Sequence, residues 1–163
     1  MLPRRAALLA TLVLPALAAG ACAPDADLKQ SLELADVSSG WYDAGIVDGR
    51  NKLVPSATFR IRKKAPVDLD RVSINALFRA QDGAESDLDN DVYVQRVTFE
   101  GDGTPPVTLR AENGYTAEPP QTRAEMLKHS HFRDMRVQIL IKQGSGQWTD
   151  LGSVDIKRQL LTD

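Results

Sequence analysis

Cysteine is all but missing from this chain of 163 residues. Cys22 is the single one, so no intramolecular disulfide can form and a folded domain must be held by its core. Aromatic residues make up only 6%, histidine occurs twice, and neither sign of charge dominates, with 20 basic against 22 acidic residues. That balance lacks the basic surplus of a nucleic-acid binder, and no nucleic-acid partner is expected. The one long apolar run, Ala6 to Ala19, falls short of the roughly 20 residues that span a bilayer. What remains, 42% hydrophobic and 26% charged, is the composition of one ordinary globular domain with an appendage. Nothing in it names a reaction.

The appendage is N-terminal. Residues 1–21 carry Arg4 and Arg5, then the apolar run interrupted by Thr11 and Pro15, and no acidic residue, which is the order of an export signal. The run closes on Leu17-Ala18-Ala19-Gly20-Ala21-Cys22, small residues leading into the only cysteine. This segment resembles a bacterial lipobox, with Ala19 where leucine is most common. The resemblance implies that Cys22 is acylated and becomes the first mature residue, so that the membrane is a partner through N-terminal acyl chains. Ala23 in place of Asp after the cysteine is similar to the outer-membrane class of Gram-negative lipoproteins, which implies an anchored protein facing the periplasm. The alternative is soluble export, with Cys22 a free thiol. Removing residues 1–21 leaves 142 residues with 18 basic and 22 acidic side chains, a net charge of −4. Residues 22–30 read as a short polar tether with a reach of roughly 30 Å.

From residue 31 the chain reads as short strands. Ala57, Phe59 and Ile61 alternate with Thr58, Arg60 and Arg62; Val72, Ile74, Ala76, Phe78 and Ala80 form a second such series; Val107, Leu109 and Ala111 a third; Val137, Ile139 and Ile141 a fourth. Residues 32–37, 92–99 and 151–158 bring the set to about seven. Asp48-Gly49, Asp82-Gly83, Asp102-Gly103, Asn113-Gly114 and Gly144-Ser145-Gly146 read as chain reversals, and Ser38 to Asp48 as a turn-rich link. After Pro119-Pro120, Thr122-Arg123-Ala124-Glu125 is a capping box, so a short helix is expected near 122–129. The expectation is an all-β domain over 31–163: an antiparallel sandwich of about seven strands. Its strand rhythm resembles immunoglobulin-like and fibronectin-type domains, and a small closed barrel is the alternative.

Four groups of residues carry candidate chemistry. Asp87, Asp89 and Asp91 stand at the i, i+2, i+4 spacing of the first ligands of a calcium loop, although Val92 and Thr98 occupy the positions where glycine and a bidentate glutamate belong. Calcium is therefore the one cofactor to test, against a solvated acidic loop. His129, His131 and Asp134 form an incomplete transition-metal set, and neither histidine has an evident nucleophile to activate. Arg60, Arg62, Lys63 and Lys64 make a basic strand end, suited to anionic lipid or glycan, or to guarding an edge strand. Trp41-Tyr42 and Trp148 are candidate exposed anchors for a protein or sugar, or else covers for the open end of the sandwich.

Together these readings lead us to expect an anchored envelope protein acting as a non-catalytic binding or assembly module, with an envelope protein as its partner. A calcium-stabilised or ligand-sensing domain is the alternative. An envelope hydrolase whose residues converge only in the fold is a third reading.

Overall fold

The computed structural model describes residues 27–161, so the expected export signal and Cys22 lie outside the described residues. The elements run α1 (Leu28–Ser31), β1 (Leu32–Val47), β2 (Arg50–Lys63), β3 (Arg71–Ala80), β4 (Asn90–Thr98), β5 (Val107–Arg110), β6 (Tyr115–Ala117), α2 (Arg123–Lys128), β7 (Met135–Lys142), β8 (Thr149–Asp155) and β9 (Leu160–Leu161). One sheet has the order β5-β2-β1-β9, with β6 also paired to β2; the other has the order β4-β3-β7-β8. All pairs are antiparallel except β1 with β9, which is parallel. Among the described residues no helix is long and apolar enough to cross a membrane.

The period-two series form the core as expected. Val72, Ile74, Ala76 and Phe78 of β3 are buried against Val137, Ile139 and Ile141 of β7 and against Ala57, Phe59 and Ile61 of β2, while the residues between them face outward. Helix α2 also stands where its capping box places it. The Thr122 side chain accepts from the Glu125 backbone, and Glu125 accepts from the Thr122 backbone at 2.7 Å.

Three expectations about the strands and turns change. The nine strands among the described residues exceed the seven read from the alternation, because β6 and β9 are three and two residues long, too short to show a period. Residues 38–48 are not a turn-rich link. Ser38, Ser39 and Gly40 pair with Thr58, Ala57 and Ser56 inside a sixteen-residue β1, and only Asp48-Gly49 turns the chain, both at positive φ. The small residues are there because the C-terminal segment lies against them. The Ser39 hydroxyl donates to the Asp155 carbonyl at 2.7 Å, and a Cβ on Gly40 would come within 2.9 Å of the Gln159 carbonyl oxygen. Asn113-Gly114 is no reversal either, since β5 and β6 both run antiparallel to β2, one after the other along the same strand. Gly114 permits close approach: a Cβ there would lie 2.1 Å from the Leu53 carbonyl oxygen.

Residues 27–30, expected in the tether, belong to the fold. Asp27 caps α1 through its side chain, and Leu28 is buried, so the expected tether loses its last residues to the fold.

Candidate functional site

Trp41 cannot be an exposed anchor, because it is fully buried in β1, and this corrects the expectation for half of the Trp41-Tyr42 pair. Its ring lies 4.5 Å from that of Phe132 and 5.5 Å from that of Tyr115, making an aromatic cluster under α2. Neighbouring strand residues point to opposite faces, so Tyr42 turns outward, where the Arg110 guanidinium covers its ring at 3.5 Å. Trp148, in the β7–β8 hairpin, is 38% exposed.

The acidic loop does not gather its carboxylates. Arg79 takes Asp91 at 2.6 Å, and Asp89 accepts from the Ala80 backbone at 3.3 Å with the Arg79 Nε at 4.0 Å. Asp87 is exposed, and among the described residues no three His, Cys, Asp or Glu side chains are placed to hold a metal ion. The histidine set separates in the same way. Asp134 is held by Arg158 at 2.6 Å, while His129 Nδ1 accepts from the His131 backbone and the two rings line a small cavity of about 140 Å³ with Tyr115, Met126 and Phe132.

The basic strand end is likewise occupied. Asp36 lies 3.5 Å from Arg60 and 3.6 Å from Arg62, Lys63 sits over the Phe99 ring, and Lys64 donates to the Lys29 carbonyl. Here β2 pairs with β1 on one side and is bonded to residues 102–104 on the other, so guarding an edge is not the role of these cations.

A different group comes together on the outer face of the four-stranded sheet. Arg71 and Ser73 of β3, Tyr93 and Arg96 of β4, Lys142 of β7 and the following Gly144 line a cleft of about 350 Å³. Tyr93 and Arg96 are three residues apart and would point to opposite faces of a regular strand. A β-bulge changes this: between the pairs Val72–Val97 and Ile74–Val94, residues 95 and 96 stand opposite Ser73 alone. The extra residue re-aims Arg96 to the side of Tyr93. Ser73 pairs with Lys142 across β3 and β7, which brings the lysine to the same place. Lys142 Nζ lies 4.7 Å from the centre of the Trp148 ring, and that ring meets Tyr93 edge-on at 6.0 Å. Tyr93 is 55% exposed.

Charge is distributed unevenly along this face. At its far end each arginine has its acid, Arg79 with Asp91 and Arg136 with Asp155, both at 2.6 Å. Around the cleft, Arg71, Arg96 and Lys142 form no ion pair among the described residues, and no carboxylate of those residues lines it. Unpaired cations beside exposed aromatic rings are equipped to hold an anion and pack against its carbon skeleton.

No protein-family model, curated protein or solved structure matches the chain.

Proposed function

We propose that the chain is an exported lipoprotein, anchored through Cys22 and facing the periplasm from the outer membrane, whose immunoglobulin-like sandwich is a non-catalytic binding or assembly module. The observation that carries the binding role is the outer face of β4-β3-β7-β8, where exposed Tyr93 and Trp148 stand among cations that have no acidic partner among the described residues. Aromatic and arginine side chains are the residue types that dominate recognition surfaces. The strand order supports the immunoglobulin-like part of the reading. With β1, β2 and β5 in one sheet and β4, β3, β7 and β8 in the other, seven strands follow the sequence A, B, E and C′, C, F, G. The anchor rests on the lipobox-like segment, and the six residues from Cys22 to the buried Leu28 are few enough to keep the module beside its membrane.

Two experiments test it. Cys22→Ser should leave the protein unprocessed or release it from the membrane fraction; wild-type processing and fractionation would remove the anchor. A photoreactive residue at position 93, activated in cells, should give a dominant adduct that the same label at position 62 does not. Identical adduct patterns at the two positions would remove the binding face.

A further inference from the structure

We infer that the cleft between Arg71, Arg96 and Lys142 is a site for a phosphate group carried on a small alcohol, of the size of a phospholipid headgroup. The inference rests on the reading of this face as the binding surface and adds the chemistry of the ligand.

Three features point to a phosphate. Two guanidinium groups and one ammonium line the same cleft. A guanidinium presents a planar fork of donors that matches two oxygens of one phosphate, and the ammonium adds a point charge. Two of the cations are also positioned by their surroundings. The bulge holds Arg96 on this face, and the Trp148 ring sits beside the Lys142 ammonium, so part of the cost of ordering the side chains is met before a ligand arrives. Finally, the Tyr93 ring lines the cleft and is backed edge-on by Trp148, which offers an apolar surface for the carbon skeleton that bears the phosphate. The volume of about 350 Å³ lies at the lower end of the range for small-molecule sites.

The place of the cleft in the fold favours a headgroup. The Lys64 backbone N–H donates to Ser31 of α1, and the Phe99 N–H, just past β4, donates to Asp70, just before Arg71. The cleft therefore lies toward the end of the sandwich at which the chain arrives from Cys22. The five residues from Cys22 to Asp27 span at most about 17 Å, which leaves the headgroup layer within reach of that end.

The test uses the full chain purified in a maltoside detergent, with intrinsic fluorescence as the readout. Of the two tryptophans only Trp148 is exposed, and Trp148→Phe should abolish the signal. Glycerol 3-phosphate is titrated in solution, and short-chain phosphatidylglycerol is titrated into the micelles, each against sodium acetate at equal ionic strength. A saturable change is expected, with affinity reduced about tenfold or more in each of Arg71→Ala, Arg96→Ala and Lys142→Ala. Arg60→Ala, whose side chain is engaged with Asp36, should leave the affinity unchanged. A response in the micelle arm alone assigns a lipid headgroup, and equal responses in both arms assign the phosphate group however it is carried. No saturable change in either arm, a change matched by acetate, or one that survives all three cleft substitutions overturns the inference. If it fails while the label at position 93 still captures a specific partner, the ligand class is wrong and the binding face stands.

Discussion

Gly114→Ala is the sharpest test of the packing. A Cβ at this position would lie 2.1 Å from the Leu53 carbonyl oxygen and 2.8 Å from Val54 Cγ1, where ordinary contact begins at 3.4 Å. The obstacle is the β2 backbone, which is held by β1 on one side and β6 on the other and cannot rotate away as a side chain would. The strain must be relieved by lifting β6 from β2. That loosens the pairs of Leu53 with Tyr115 and Lys52 with Thr116, and it shifts Tyr115, which stacks on Phe132 at 4.3 Å. Overpacking costs about 1–3 kcal/mol, and a net backbone hydrogen bond is worth about 1 kcal/mol, so we expect a loss of about 3 kcal/mol. For a domain of this size that lowers Tm by roughly 10 °C. Urea unfolding followed by far-ultraviolet circular dichroism measures the loss, and near-ultraviolet spectra follow the aromatic cluster. Gly103→Ala is the control, since its nearest atom would be the Ile61 carbonyl oxygen at an ordinary 3.6 Å. Equal stability of the two variants, both within about 0.5 kcal/mol of wild type, would refute the close approach of β6 to β2.

Trp41→Ala should cost about 3–5 kcal/mol, and Trp148→Ala less than about 0.5 kcal/mol, a contrast that chemical denaturation reads directly. Thr122→Ala, which removes the cap of α2, should cost about 1 kcal/mol in the same assay. Arg133 bonded to Asp82 holds that carboxyl below its usual range, and the Thr122 backbone N–H does the same for Glu125. Depressed values in the folded state mean stability that is present above the unfolded range near pH 4 and lost as pH falls through the folded values, so Tm of Asp82→Asn should fall less steeply on acidification than wild type. Burial pushes the Tyr115 hydroxyl above its ordinary 10.0, against the opposing hydrogen bond from the Arg133 backbone. The folded state keeps a proton that the unfolded state has lost, so stability should decline as pH rises past 10 in wild type and less so in Tyr115→Phe.

What could be read from the sequence is what depends on neighbours along the chain. Helix α2 is legible because its cap, its first acid and its terminal lysine fall within seven residues, and β3 and β7 are legible because their apolar residues alternate without a break. Ser38-Ser39-Gly40 misleads because small residues serve turns and close packing alike, and the packing partner, the segment around Gln159, lies more than a hundred residues on. The candidate cleft is hidden for a related reason. Arg71, Arg96 and Lys142 come from three strands, and Arg96 joins Tyr93 only through a bulge, which breaks the period on which sequence reading depends. The residues that stood out instead, Asp89 and Asp91, Arg60 and Arg62, stand out as charges along the chain but answer other charges in space.

The parallel pairing of β9 with β1 has a practical side. Leu160 and Leu161 run beside Trp41 and Tyr42 in the direction of β1, about nine residues or roughly 30 Å along that strand from its start after α1. The backbone thus leaves Leu161 travelling away from α1. A fluorescent reporter or affinity label joined directly at Leu161 would start from the five-stranded sheet, clear of the residues that line the cleft, so the protein can be tracked in cells or fixed to a sensor with the cation–aromatic face open to its ligand.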